Sequence, residues 1–300
     1  MDSGLRDPNA ALPPLAQMVR QGDRVRYVSA LFAPEGRRPD LIALYAFDIE
    51  IIRIPRIASQ NMIGEIRFQW WRDALEAIAA GHAPRGHEVL LALAPAVRSG
   101  TVEAAALIRI IDAHVHDLYD DPLADMSALL AYAGATGGDL AAQASRILCC
   151  LPGATAPAGA PSEPAAGAVA VARDVGTAWA LAGLLTTLGR QAGAGRCYLP
   201  ADRLAAEGVQ MADFLAYRPS AGLARVVAEV AAEARRLLAS ARARRHDLPK
   251  TALPAVLMAP LVDRSLARLA RTGADPFQPV ELPPWQAPAL IGLAALRGRF

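Results

Sequence analysis

Apolar residues recur at helical spacing along most of this chain of 300 residues, and almost no stretch alternates strictly between apolar and polar positions. Ala, Leu and Arg, which favour helices, dominate the sequence, whereas strand-forming residues are sparse. The pattern predicts helices at residues 14–33, 38–54, 62–80, 86–98, 101–120, 126–149, 164–191, 219–246, 252–271 and 286–297. The predicted fold class is therefore all-α.

Two proline-rich stretches interrupt the helical pattern. Residues 152–168 hold four prolines among abundant Ala and Gly and are expected to form a flexible connection, and residues 275–288 are expected to be extended. The periodicity continues in kind across the first stretch, so neither is interpreted as a domain boundary. A chain that is 53% hydrophobic can bury a sizeable core, and residues 1–300 are predicted to form one domain.

Two apolar features raise the question of membrane contact. The uncharged run Val175–Gly189 is shorter than the roughly 20 residues that span a bilayer and is interpreted as a buried helix. A stripe in the segment 219–246 lies near several arginines, which permits peripheral contact with a membrane, but its interpretation is a core-facing helix side. The stripe consists of Leu223, Val226, Val227, Val230, Leu237 and Leu238.

Charge and cysteine content limit the partners and the cellular compartment that are expected for the protein. The net charge of +2 and the pI near 8.6 are too mild for a nucleic-acid-binding surface, so no nucleic-acid partner is expected. Cys149, Cys150 and Cys197 have neither the spacing of a disulfide framework nor that of a zinc site. Residues 1–23 lack the apolar core of a secretory signal. These features favour the cytoplasm.

Three blocks of sequence resemble the squalene/phytoene synthase family. They are Ala43–Phe47 (ALYAF), Gln69–Asp73 (QWWRD) and Gly195–Pro200 (GRCYLP). The resemblance implies a single-domain, isoprenoid-synthase-type helical bundle with a central cavity. In that family two aspartate-rich motifs hold Mg²⁺ and prenyl diphosphate, since hard cations prefer carboxylate oxygens.

The carboxylate pairs of both motifs are missing here. Alignment from the first block places the first pair on Ile52 and Arg56, and Pro55 is expected to kink or end the helix there. Counting back from the third block places the second pair on Thr187 and Gln191. None of these side chains suits Mg²⁺, so no metal, no cofactor and no catalytic residue is expected. Mg²⁺ would be needed only if the protein were an active enzyme.

Other polar positions of the family pocket are retained, and by the resemblance they would form a vestigial site for an anion or a polar lipid head. They are Tyr27, Arg37, Arg38, Tyr45, Gln69, Arg196 and Tyr198. The alternative is that the aromatic residues belong to the core and the arginines to the surface. Asp117 is interpreted as part of a solvated helix end, and His114 and His116 as an ordinary helix surface.

A narrower resemblance is to the branch of this family that includes the mitochondrial complex I assembly factor. It rests on Ala46–Glu50, Gly64–Trp71, Tyr198–Pro200, Gly208–Val209 and Asp213–Leu215. It implies a non-catalytic factor that assembles or stabilises a respiratory complex, with complex I subunits or other assembly factors as partners and a peripheral position on the inner membrane face. The alternatives are an Mg²⁺-dependent head-to-head prenyl synthase and a protein that binds an isoprenoid, a quinone or another lipid.

Overall fold

The computed structural model describes residues 13–84, 86–150, 163–271, 275–280 and 282–300. The regular structure of these residues is helical, and they contain no β-strand. The all-α prediction is confirmed. The α-helices are α1 (Pro14–Gly22), α2 (Arg24–Ala30), α3 (Arg38–Ile57), α4 (Asn61–Ala79), α5 (Glu88–Arg98), α6 (Ala104–Val115), α7 (Met126–Ala133), α8 (Asp139–Cys149), α9 (Glu163–Leu185), α10 (Leu188–Gly193), α11 (Ala201–Ala206), α12 (Met211–Leu215), α13 (Ala221–Ala243), α14 (Ala259–Leu269) and α15 (Gln286–Arg297). Short 3₁₀ segments lie at Glu35–Arg37, His116–Leu118, Arg245–Asp247 and Lys250–Val256, and a π-helical turn spans Gly134–Gly138.

Several predicted helices are broken by local capping. The segment 14–33 divides at Asp23, whose carboxylate accepts a hydrogen bond from the backbone N–H of Arg26 and so begins α2. The segment 164–191 divides into α9 and α10 near Thr187. Much of the predicted connection 152–168 lies outside the described residues, but residues 163–168 belong to α9, so its predicted end was too late.

The core lies around α9, which packs against α8, α13 and α14. Length and composition alone would allow residues 166–185 to cross a membrane, but about half of that window is buried inside the bundle. We therefore describe α9 as a core helix. The stripe of α13 also faces inward, since Leu223, Val226 and Val230 are fully buried. The core-facing interpretation of that stripe is confirmed.

Two glycines let α9 approach the π-helical turn closely. A Cβ atom on Gly176 would lie 2.2 Å from the carbonyl oxygen of Gly137, and one on Gly137 would lie 2.5 Å from the carbonyl oxygen of Gly176. Backbone therefore meets backbone here without an intervening side chain. The close contact fixes α8 and α9 side by side and places Tyr132, at the end of α7, beside the polar cluster described below.

Candidate functional site

The first motif position lies near the end of α3. Ile52 is half-buried and Arg56 is exposed, and the helix continues through Pro55 to Ile57. The helix was expected to kink or end at Pro55, and its predicted end at residue 54 was too early, because α3 continues for two residues beyond Pro55. A small cavity of about 120 Å³ opens beside this turn, lined by Glu50, Ile54, Ile57, Arg67, Trp70 and Trp71. Among the described residues that line it, Glu50 is the only one with a carboxylate, so the turn does not provide the pair of carboxylates expected for Mg²⁺.

The second motif position forms the junction between α9 and α10. The side-chain amide of Gln191 donates to the carbonyl oxygen of Leu184 at 2.6 Å and to the hydroxyl of Thr187 at 3.1 Å. The Thr187 hydroxyl donates to the carbonyl oxygen of Gly183 at 2.8 Å. Both side chains therefore bond to the end of α9. Neither supplies a carboxylate, and Mg²⁺ does not fit this position either.

Asp48, four residues before Ile52, is engaged by a cation. Its carboxylate accepts a hydrogen bond from Arg26 at 2.9 Å, and the same guanidinium lies 3.0 Å from Asp23. Arg26 and Asp48 are buried, Asp23 is half-buried, and the guanidinium lies 5.8 Å from the centre of the Tyr45 ring. Asp23, Arg26 and Asp48 form an ion triad that connects α2 to α3, and the Asp48 carboxylate is already paired with Arg26.

Burial and charge act together on the ionisation of this triad. Burial would lower the pKa of Arg26, but Asp23 and Asp48 outweigh it and the pKa is raised. Burial raises the pKa of Asp48, against the opposing effect of Arg26 and, more weakly, of His114. Burial also raises the pKa of Tyr45, so the phenol stays neutral. The triad is thus a buried arginine compensated by two acidic side chains.

Asp117 lies at the centre of a second buried cluster. Its carboxylate accepts hydrogen bonds from Tyr198 at 2.8 Å and from Tyr132 at 2.9 Å, and His114 Nδ1 lies 2.7 Å from it. Since an ionised carboxylate can only accept, Nδ1 is the protonated nitrogen of that pair. The prediction of a solvated helix end for Asp117 was wrong, and so was that of a surface position for His114.

The hydrogen bonds of this cluster favour the charged carboxylate. Burial would raise the pKa of Asp117, but the bonds from His114, Tyr198 and Tyr132 outweigh it and hold the pKa below its usual range. Burial and the nearby negative charge raise the pKa values of Tyr132 and Tyr198. Asp117 is therefore an ionised side chain whose acceptor positions are filled by the protein, which leaves it unsuited to a metal ion.

The predicted pocket residues are dispersed. Tyr45 lies in the cluster around Arg26, and Tyr198 lies in the cluster around Asp117. Arg196, two residues before Tyr198, has its Nε 3.7 Å from the carboxylate of Asp120. Gln69, in contrast, is exposed on α4 and donates to Asp73 at 2.7 Å.

The remaining three predicted residues lie near the chain segment before α3. Tyr27 is half-buried on α2. Arg37 donates to the carbonyl oxygen of Cys150 at 2.5 Å, and Arg38 donates to that of Ala33 at 2.9 Å. The side chains of both arginines therefore donate hydrogen bonds to backbone carbonyl groups. A binding role for the seven predicted pocket residues stays a prediction.

Two charged residues that are buried in the described part of the chain were not singled out by the sequence analysis. One is Arg26, described above. The other is Asp139, which begins α8 and lies 3.0 Å from Arg109 of α6 and 2.6 Å from Arg173 of α9. Asp139 follows Gly137 and Gly138, and this glycine pair at a predicted helix interior is the signal that could have marked a close helix contact.

No cluster of three or more His, Cys, Asp or Glu side chains among the described residues is arranged to hold a metal ion. The two carboxylates that could have replaced the missing pairs, Asp48 and Asp117, have partners of their own. The residues present thus do not fit the Mg²⁺ ions that the family resemblance implies.

Comparison with solved structures identifies the architecture. A dehydrosqualene synthase in complex with ligand superposes with a TM-score of 0.78 over 94% of both chains at 16% sequence identity. The squalene synthase HpnC from Alicyclobacillus acidocaldarius gives a TM-score of 0.72 over 87% of this chain and 94% of that one at 21% identity. At such low identity these likenesses establish the fold alone.

Sequence comparison finds relatives of a different description. The chain is 27% identical to the mouse NADH dehydrogenase (ubiquinone) complex I, assembly factor 6, and 26% identical to the human protein of that name. Each match covers 88% of this chain and 75% of the relative. The family model for squalene/phytoene synthase matches residues 19–288. The chain therefore belongs to the squalene/phytoene synthase family.

Proposed function

We propose that this protein assembles or stabilises a respiratory complex of the NADH:ubiquinone oxidoreductase type and does not catalyse prenyl transfer. The observation that carries the proposal is the loss of both carboxylate pairs together with the engagement of Asp48 and Asp117 by other side chains. The relatives described as complex I assembly factor 6, matched over most of this chain, support the choice of complex. Complex I subunits or other assembly factors are the partners that the proposal implies.

A gene deletion tests the assembly role. In the deletion strain we expect less assembled complex on native gels and slower NADH oxidation by isolated membranes, while succinate oxidation is unchanged. Restoring the gene should restore both. Normal complex I content and normal NADH oxidation without the protein would refute the assembly role.

A turnover assay tests the non-catalytic part of the proposal. Purified protein would be incubated with farnesyl or geranylgeranyl diphosphate and Mg²⁺ or Mn²⁺, beside an intact family enzyme, and C30 and C40 products measured. We expect none. If product appears, Asp48→Asn and Asp117→Asn identify which carboxylate supports it, and the enzyme alternative replaces ours.

The proposal places the protein in the cytoplasm, peripheral on the inner membrane face, without a metal or cofactor. Fractionation of cells tests this location. The cavity beside Trp70 and Trp71 does not support the lipid-binding alternative, because it holds about 120 Å³, whereas ligand pockets commonly hold roughly 300–1,000 Å³. Mass spectrometry of the purified protein for a co-purifying isoprenoid or quinone would decide that alternative.

A further inference from the structure

Helix α15 buries one side and exposes apolar residues on the other. Ile291 and Ala294 lie in the core, where α15 packs against α2 and α14. Leu293 and Leu296 point away from the bundle and are 43% and 86% exposed. An exposed leucine pair on one helix side costs solvation free energy in water, so this side is a candidate for contact with another apolar phase.

The exposed apolar side extends beyond α15. The ring of Phe32 lies 4.0 Å from the position that a Cβ atom on Gly292 would take, so the residues after α2 adjoin α15. Trp285, immediately before α15, is two-thirds exposed. We call this surface the apolar patch, and its residues are Leu31, Phe32, Trp285, Leu293 and Leu296.

A basic pocket of about 370 Å³ lies at the C-terminal end of α15. It is formed by the 3₁₀ segments around Arg245–Asp247 and Lys250–Val256 and by residues 297–300. Its four permanently charged side chains are those of Arg245, Lys250, Arg297 and Arg299. No Asp or Glu is among the described residues that line it.

The cations of the basic pocket are available to a ligand. None of the four forms an ion pair with another side chain in the described part of the chain. Of the nearby acidic residues, Asp263 lies 2.5 Å from Arg242, which is not part of the pocket lining, and Asp247 lies 3.3 Å from His246, which lines the pocket beside the four cations. Guanidinium groups bind phosphate oxygens in pairs, so the pocket matches a phosphate-bearing ligand.

We propose that the apolar patch and the basic pocket form one docking surface for a bilayer that contains anionic phospholipids. Leu296 and Arg297 are consecutive, so the patch and the pocket adjoin. Headgroup phosphates would enter the pocket while Leu293 and Leu296 enter the acyl region, the arrangement of an interfacial amphipathic helix. A soluble phosphate would fill the pocket but leave the apolar patch in water. The inference does not rest on the assembly role.

Vesicle sedimentation with the full chain tests the docking surface. We expect sedimentation with phosphatidylcholine vesicles that contain about 30 mol % phosphatidylglycerol, and about tenfold weaker binding to pure phosphatidylcholine. Arg297→Glu with Arg299→Glu should weaken anionic-vesicle binding about tenfold, and so should Leu293→Ser with Leu296→Ser. Salt at about 0.5 M should weaken wild-type binding, because it screens the charges.

A matched variant controls for net charge. Arg20→Glu with Arg218→Glu makes the same change of charge at exposed positions on α1 and just before α13, and its binding should equal that of the wild type. Equal binding to neutral and anionic vesicles, or equal loss in the control, would overturn the proposal. So would inorganic phosphate raising the Tm of the wild type but not of the Arg297/Arg299 variant while no vesicle binding is seen, since the pocket would then serve a soluble anion.

A fluorescence measurement on the wild type adds a second test that does not use the charge or leucine variants. Lipids brominated in the acyl chain should quench the fluorescence of Trp285 in anionic vesicles. The quenched component should be absent from Trp285→Phe, which still contains the three other tryptophans. Vesicle binding without quenching of Trp285 would place the contact elsewhere and contradict the docking surface proposed here.

Discussion

Thr187 and Gln191 are bonded to each other: the side-chain amide of Gln191 donates to the Thr187 hydroxyl at 3.1 Å. The same amide donates to the carbonyl oxygen of Leu184 at 2.6 Å, one residue before α9 ends. The two residues at the family's second metal position thus stabilise the junction between α9 and α10.

Gln191→Leu should destabilise the protein, because it leaves the Leu184 carbonyl oxygen and the Thr187 hydroxyl without their buried donor. We expect a loss of about 1–3 kcal/mol in the free energy of unfolding, measured by urea denaturation. Gln17→Leu at the exposed position on α1 is the control and should change stability by about 0.5 kcal/mol or less. Equal effects of the two substitutions would show that the Gln191 bonds do not stabilise the break.

Two glycines of α9 should respond in opposite directions to alanine. Gly176→Ala would drive a methyl group into the Gly137 carbonyl oxygen, 2.2 Å away, so we expect a lower Tm. Gly183→Ala meets no atom within 4 Å and should raise stability by about 0.5–1 kcal/mol through helix propensity. Thermal unfolding followed by circular dichroism distinguishes them. A Gly176→Ala protein as stable as the wild type would mean that α9 is not in close contact with the π-helical turn.

Asp117 should make stability fall in acid. Its folded pKa lies below the ordinary value, so its contribution is complete above about pH 4 and is lost as the pH falls through the folded pKa. Asp117→Asn should cost about 1.5–3 kcal/mol at pH 7 and make the decline below pH 4 shallower. Asp121→Asn, at an exposed position four residues later, should reproduce neither effect. An unchanged acid profile in Asp117→Asn would contradict the burial of this carboxylate among donors.

Arg26 and Asp48 should be strongly coupled. Arg26→Met leaves Asp48 buried without its cation, and we expect a loss of about 3–5 kcal/mol in the free energy of unfolding. Adding Asp48→Leu removes the uncompensated charge and should recover part of that loss. A double-mutant cycle from urea denaturation measures the coupling. Additive effects of the two substitutions would indicate that the ion pair does not form.

The helical frame could be predicted because it depends on local spacing of apolar residues. The apolar stripe from Leu223 to Leu238 predicted both a helix and the side of it that is buried. The break at Thr187 was missed because its cause is a side chain bonding back to the preceding turn, which competes with a periodic apolar pattern.

The buried clusters could not be predicted because their contacts are distant in sequence. Asp117 meets Tyr132 across 15 residues and Tyr198 across 81, and beside Asp120 and Asp121 it has the pattern of a solvated acidic run. Arg26 reaches Asp48 across 22 residues. A single sequence marks neither pairing, since long-range contact is set by how the helices pack.

The triad of Asp23, Arg26 and Asp48 has a practical consequence for shortening the chain. Asp23 both caps α2 and holds the guanidinium that neutralises Asp48 in α3. A fragment starting after α2 would keep most of the apolar core yet leave a carboxylate in it without its cation. Limited proteolysis that removes α1 and α2 should therefore yield a fragment that aggregates, although the cut itself falls at the edge of the fold.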